Sequence, residues 1–242
     1  MNEKLKNLII RALTAAVLVV PAWYIFVYLP PIATTIGLII VACWILFVEL
    51  PQLVSPKTWQ FYPLALAYIC LPIWLMIAMN QNQLLRLYLI GAVMWIIMHD
   101  TGAYLVGTFL GRNKMAPTIS PNKTWEGFLG GFLALMAWNV YSVITMYKQP
   151  VLSVQTLFFV GFSLVVTALA TLGDLFESWL KRRAGVKDSG WILPGHGGLL
   201  DRLDSLLFIT PAMVIYIAYM MHKAFPALKL VDVLKQFIFV KF

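Results

Sequence analysis

Apolar runs long enough to cross a lipid bilayer recur along almost the whole chain, at residues 8–29, 32–50, 61–79, 84–110, 125–147, 154–183 and 199–221. A helix rises about 1.5 Å per residue, so a run of about 20 residues matches the roughly 30 Å hydrocarbon layer. Only 12% of the 242 residues are Asp, Glu, Lys or Arg, 61% are apolar or aromatic, and the mean hydropathy is +0.83. Typical soluble domains carry about 25% charged residues, so this chain could not cover a water-facing surface. The expected fold is therefore all-α, a polytopic transmembrane helical bundle. At roughly 30 residues per span with its connection, there is room for about seven or eight crossings and no separate soluble domain. A soluble enzyme, a disordered chain and a secreted disulfide scaffold are excluded. Cys43 and Cys70 both sit inside apolar runs, which does not suggest a disulfide framework.

The run at 8–29 follows Lys4 and Lys6, contains Arg11, and has no small-residue cleavage site before the next span, so it reads as a retained anchor. Pro30-Pro31 then breaks the chain before 32–50. The remaining connections place Lys57, the Arg112–Lys123 loop and the Lys181-Arg182-Arg183 run on one face, with the amino terminus. By the positive-inside rule that face is cytoplasmic. The chain accordingly divides into amino-terminal anchor helices (1–83), a transmembrane segment (84–222) that the motifs below mark as the expected catalytic part, and a tail (223–242). Four lysines make the tail too charged for an ordinary span, so it is expected to lie at the interface as an amphipathic helix or to mark a count wrong by one.

Net charge is +8, from 18 basic against 10 acidic residues. The acids are the more informative group. Seven of the ten (Asp100, Glu126, Asp174, Glu177, Asp188, Asp201 and Asp204) fall between positions 100 and 204. Carboxylates near hydrocarbon cost several kcal/mol unless paired, hydrated or metal-bound, so their concentration marks a candidate site. Asp174, Ser178 and Lys181 follow i, i+4, i+7 and line one helix face. Pro194-Gly195-His196-Gly197-Gly198 cannot form a stable helix interior, and its glycines let backbone amides approach an anion just before a helix starts. Asp201 and Asp204 follow at i, i+3 with Arg202 beside them.

Carboxylates for a hard divalent cation beside Lys and Arg for phosphate charge suit phosphoryl or nucleotidyl transfer. Each element also has a structural explanation: acids at a helix start favour its dipole, and a Lys/Arg run stops transfer. Asp100, inside an apolar span, reads as a metal-shell or cation partner, or else as a polar contact between helices. His99 points about 100° away from it on a helix, so the two are not expected to share a site. Glu126, just after Thr124, reads as a site acid or a capping acid, and Glu49 and His222, at span ends, read as solvated.

The segment S-W-L-K-R-R-A-G-V-K-D-S-G-W-I-L-P-G-H-G-G-L-L-D-R-L-D, residues 178–204, resembles the signature of the phosphatidate cytidylyltransferases, also called CDP-diacylglycerol synthases. The blocks H-D-T-G-A-Y-L-V-G (99–107) and I-S-P-N-K-T-W-E-G (119–127) are similar to the same family and occur in its order. The resemblance implies a multi-pass enzyme of a bacterial-type inner membrane. It would join CTP to phosphatidic acid on the cytoplasmic side, releasing pyrophosphate and using Mg2+, with a second cation allowed.

It further implies that Asp174, Asp201 and Asp204 are the metal-binding carboxylates, with Asp100 a further candidate. Lys181, Arg182, Lys187 and Arg202 would contact phosphates, with Asp188 and His196 in the same catalytic set. Ser120, Asn122, Lys123, Ser178, Gly197 and Gly198 would bind substrate. Partners are then CTP, phosphatidic acid, the lipid bilayer and, as a candidate, a second copy of the chain, but not nucleic acid. Two other readings share these residues: a CTP-using polyprenol kinase or ether-lipid cytidylyltransferase, and a cation or proton transporter whose buried acids bind the ion.

Overall fold

The computed structural model describes residue 21 and residues 23–146, 154–192 and 197–224. His196, most of the 8–29 run and the tail from 225 onward lie outside the described residues. Among the described residues, six helices are long and apolar enough to span a membrane: α1 Pro31–Leu53, α2 Phe61–Asn80, α3 Gln83–Phe109, α4 Trp125–Met146, α5 Val154–Arg183 and α6 Leu200–Ala224. Their bounds fall close to the apolar runs. The chain is an integral membrane protein of helical class, and six of the expected seven or eight spans are found among the described residues. A two-stranded hairpin, β1 Lys114–Ala116 and β2 Ser120–Thr124, joins α3 to α4. It is antiparallel, with Lys114 opposite Thr124, Ala116 opposite Ser120, and an irregularity in register between them.

Two compact units emerge. Of the described residues, the first comprises those up to 89 with those in 180–203 and from 210 on; the second comprises those in 90–179 with 204–209. In the first, α1 and α2 both contain π-helical turns, Ile45–Glu49 and Leu64–Cys70, each just before a proline (Pro51 and Pro72). Proline lacks an N–H and crowds the preceding turn, so a widened turn absorbs it without breaking the span. Ile45, Leu50, Ile69, Met76 and Met79 form the buried interior here. The Asn80 amide ties α2 to α1 by donating to Pro31 O (2.7 Å) and Thr35 Oγ1 (3.2 Å).

The second unit is built on close helix approach. A Cβ at Gly102 would lie 2.5 Å from both Ala134 Cβ and the Gly130 carbonyl oxygen, and one at Gly130 would lie 2.4 Å from Val106 Cβ. Gly107 and Gly127 continue the contact toward the hairpin. In hydrocarbon, where apolar side chains gain nothing by leaving lipid, small residues let van der Waals packing hold helices together. Leu135, Val166, Ala170 and Ile209 form the core, packed by Trp95 and Phe162, whose rings meet edge to face at 4.9 Å. Asn139 donates to Ser163 Oγ at 2.9 Å, a buried polar link between α4 and α5. Against α5, the α6 backbone comes so near that a Cβ at Gly173 would meet Asp204 O at 2.6 Å.

Candidate functional site

That last contact sets the first site, because Gly173 precedes Asp174 and the backbone it admits is that of Asp204. The Asp204 side chain is buried, its Oδ1 accepting its neighbour Ser205 N–H at 2.6 Å. It lies within electrostatic range of Asp174, Lys123 and Asp100. Asp174 accepts from Ser178 Oγ (3.2 Å) and pairs with Lys123 Nζ at 2.8 Å.

Lys123 reaches Asp174 from β2, and two devices hold that strand. Thr124 is the N-cap of α4, its Oγ1 accepting the Gly127 N–H at 3.1 Å. Glu126 reaches back and accepts the backbone N–H groups of Arg112 (3.1 Å) and Asn113 (3.2 Å) and the Asn113 side-chain amide (2.6 Å). The capping alternative for this acid thus has a wider reach, since Glu126 ties down the start of the hairpin loop as well.

Together these elements enclose a cleft of about 310 Å³. It is lined by His99, Asp100 and Tyr104 of α3, Ser120, Asn122 and Lys123 of the hairpin, Phe128 of α4, and Thr171 and Asp174 of α5. Ser120, Asn122, Lys123, Asp100 and Asp174 are therefore gathered on one wall-to-wall surface. His99 and Asp100 line it together, contrary to expectation. They are indeed adjacent on α3, but the cleft wraps around the helix far enough to touch both. The His99 ring packs against Gly131, where a Cβ would come 2.3 Å from Nδ1, and that nitrogen has no hydrogen-bond partner among the described residues.

The second site lies in the other unit. α5 ends in a Schellman motif: Val186 N–H bonds Lys181 O (3.0 Å), Gly185 N–H bonds Arg182 O (3.1 Å), and Gly185 takes φ +75°. Beyond it, Asp201 in the first turn of α6 pairs with Lys181 Nζ at 2.5 Å. Its other oxygen accepts Ser189 N–H (2.9 Å), Ser189 Oγ–H (2.9 Å) and Gly198 N–H (2.8 Å). Gly197, at φ +80°, turns the chain there. Arg182, Lys187, Asp188 and Arg202 are exposed.

Of the glycine loop, Gly197 and Gly198 are among the described residues. The amides of Gly198, Leu199 and Leu200 are already bonded to carboxylates, those of Asp201 and Glu49. Glu49, expected to be solvated, is wholly buried. Its position at the end of an apolar run concealed this, because nothing in the local sequence pairs it with a loop 150 residues further on.

Among the described residues no group of three His, Cys, Asp or Glu is arranged to hold a metal ion. Asp201 is engaged by Lys181 and the loop donors; Asp174, itself paired with Lys123 and Ser178, lies with Asp100 within electrostatic range of Asp204. Two carboxylates suit a magnesium-sized ion that completes its shell with water and substrate phosphate.

A family model described as the cytidylyltransferase family matches residues 2–220. The chain is 43% identical over 126 residues to a phosphatidate cytidylyltransferase of Staphylococcus aureus (strain COL), covering 52% of this chain and 47% of that protein. A protein of the same name from Staphylococcus epidermidis (strain ATCC 35984) is 45% identical over 126 residues, with the same coverage. Another from Staphylococcus haemolyticus (strain JCSC1435) is 42% identical over 133 residues, 55% of this chain and 50% of that protein. The matched stretch thus spans about half the length of each of these relatives.

Proposed function

Because the chain belongs to the cytidylyltransferase family, we propose that it transfers CMP from CTP to phosphatidic acid, giving CDP-diacylglycerol and pyrophosphate for phospholipid synthesis. The observation that supports this most is the cleft in which Asp100, Ser120, Asn122, Lys123 and Asp174 converge, with Asp204 beside it. A cleft of about 310 Å³ can seat part of a nucleotide, and acids with one lysine suit a cation-bound triphosphate better than an apolar solute.

In the proposed reaction a phosphatidate oxygen forms a bond to the α-phosphorus of CTP while the bond to the β-phosphate's bridging oxygen breaks. Pyrophosphate leaves, and no covalent enzyme intermediate is needed. The attacking phosphate monoester is largely ionised at neutral pH, so no side chain has to remove its proton. Lys123 supplies positive charge to the phosphates, and Ser120 and Asn122 supply neutral donors that orient them. Asp174 and Asp204 would hold a divalent cation, which we assign as Mg2+. When bound, it would neutralise phosphate charge and polarise the α-phosphoryl group. Lys181, Arg182, Lys187 and Arg202 form a second basic group for lipid or nucleotide phosphate. The basic connections support a site facing the cytoplasm, and a homodimer is the proposed assembly.

The test is incorporation of radiolabelled CTP into lipid by the purified chain, given phosphatidate and Mg2+. Label should appear in an organic-soluble product and disappear when the metal is chelated. Folded, monodisperse protein that leaves all label in the aqueous phase would exclude the reading.

A further inference from the structure

The amino-terminal helices look from sequence like anchors, yet Glu49 on α1 is joined to the signature segment more closely than to its own surroundings. Its Oε1 accepts the Trp44 Nε1–H (3.1 Å) and the Leu199 N–H (2.8 Å), and its Oε2 accepts the Leu200 N–H (2.8 Å) and the Ser189 hydroxyl (3.2 Å). The carboxylate is 0% exposed. Leu199 immediately precedes α6 and Leu200 opens it, so their N–H groups are among the first four, which have no intrahelical acceptors. A carboxylate there satisfies the donors and meets the positive end of the helix dipole. Glu49 thus caps α6 from a distant helix, a function usually left to the residue just before the helix.

The surrounding loop is moulded on this group. A Cβ at Gly190 would lie 2.9 Å from Glu49 Oε1, and one at Gly198 would lie 2.7 Å from the same atom. Ser189 Oγ stands between the two carboxylates, 3.2 Å from Glu49 Oε2 and 2.9 Å from Asp201 Oδ2, and its single proton can serve one of them at a time. Asp201 in turn holds Lys181. Glu49, Ser189, Asp201 and Lys181 form one continuous chain of polar contacts. The π-helical turn Ile45–Glu49 re-aims the end of α1, placing the Glu49 side chain in this chain of contacts.

Resting on the transferase reading, we infer that Glu49 is a positioning residue: it fixes the start of α6 and thereby the placement of Asp201 and Lys181 for turnover. Its replacement by Gln keeps the volume but turns one acceptor oxygen into an N–H2 group, which cannot receive the N–H facing it. The start of α6 then loses an acceptor in a buried setting, and residues 186–192 and 197–200 loosen.

The experiment compares the full chain with Glu49→Gln and Glu49→Asp. Lipid labelling gives kcat and KM for CTP, and hydrogen exchange reports the amides of 186–203, with 125–146 as an internal reference. Glu49→Gln should lower kcat by up to about 100-fold and change KM for CTP much less. Exchange should speed up in 186–203 alone. Glu49→Asp, one methylene shorter, reaches one amide and should recover part of the rate; it carries the same comparison if Glu49→Gln does not fold. Wild-type kcat in Glu49→Gln, or unchanged exchange at 186–203, overturns the inference. A wild-type chain that never labels lipid would instead overturn the transferase reading itself, and with it Glu49's role in that reaction.

Discussion

Gly102→Ala puts the architecture around the cleft to a direct test, because it adds one methyl group where two helices touch. The new Cβ would stand 2.5 Å from Ala134 Cβ and 2.5 Å from the Gly130 carbonyl oxygen. Neither obstacle is the end of a flexible side chain, so neither can swing away. Carbon atoms rest at about 3.5–4.0 Å, and α3 and α4 must therefore part by about 1 Å. Overpacking of this kind costs about 1–3 kcal/mol, or about 2–12 °C in Tm for a chain of this size.

The same displacement acts on function. α3 carries His99 and Asp100, and α4 follows directly on the strand that carries Lys123. A shift of about 1 Å in reacting groups lowers turnover by up to about 100-fold. Gly130→Ala should behave alike, since its Cβ would meet Val106 Cβ at 2.4 Å and Gly102 O at 2.7 Å. Two glycines serve as controls: Gly91, whose nearest neighbour would be a Trp95 side-chain atom at 3.9 Å, and Gly161, with nothing within 4 Å. Alanine at either should leave Tm unchanged or raise it, because helix propensity favours Ala by about 1 kcal/mol. Thermal unfolding in a mild detergent, followed by lipid labelling at a permissive temperature, measures both effects. If Gly102→Ala and Gly130→Ala melted with the two controls, the close α3–α4 crossing would be wrong.

Asp174→Asn and Asp204→Asn should each abolish lipid labelling while leaving the protein in the membrane fraction, since each removes a charge at almost no steric cost. Near-wild-type turnover in both would mean that the cation is held elsewhere. Lys181→Met should destabilise the chain by less than the about 3–5 kcal/mol that removing one partner costs in a fully buried ion pair, because this pair is only partly buried. Adding Asp201→Asn should recover part of that loss, and a strictly additive double variant in thermal unfolding would show that the pair is not coupled.

Much of this protein is legible in sequence because the bilayer imposes a length and an apolar composition on every span. The six helices begin and end within a few residues of the runs of hydropathy, and the hairpin appears where Arg112, Pro117, Pro121 and Lys123 interrupt them. Thr124 announces its own cap, because the signal is local: a hydroxyl three residues before the amide it serves. The acids of the candidate site stand out for the same elementary reason, that charge near hydrocarbon is rare unless used.

What tertiary structure decided is which charge meets which. Asp201 and Asp204 are three residues apart and look alike in sequence, but one is engaged by Lys181 and Ser189 and the other stands beside Asp174. His99 and Asp100, a hundred degrees apart on a helix, line one cleft because the cleft is wider than a helix face. Glu49 looked like a solvated span end and is a buried cap, held by donors far along the chain. Hydropathy and capping signals depend on neighbours in sequence, and those are fixed covalently. A carboxylate's partner is set by helix crossings measured in tenths of an ångström, which glycines at 102, 130 and 173 permit, but whose outcome no local pattern encodes.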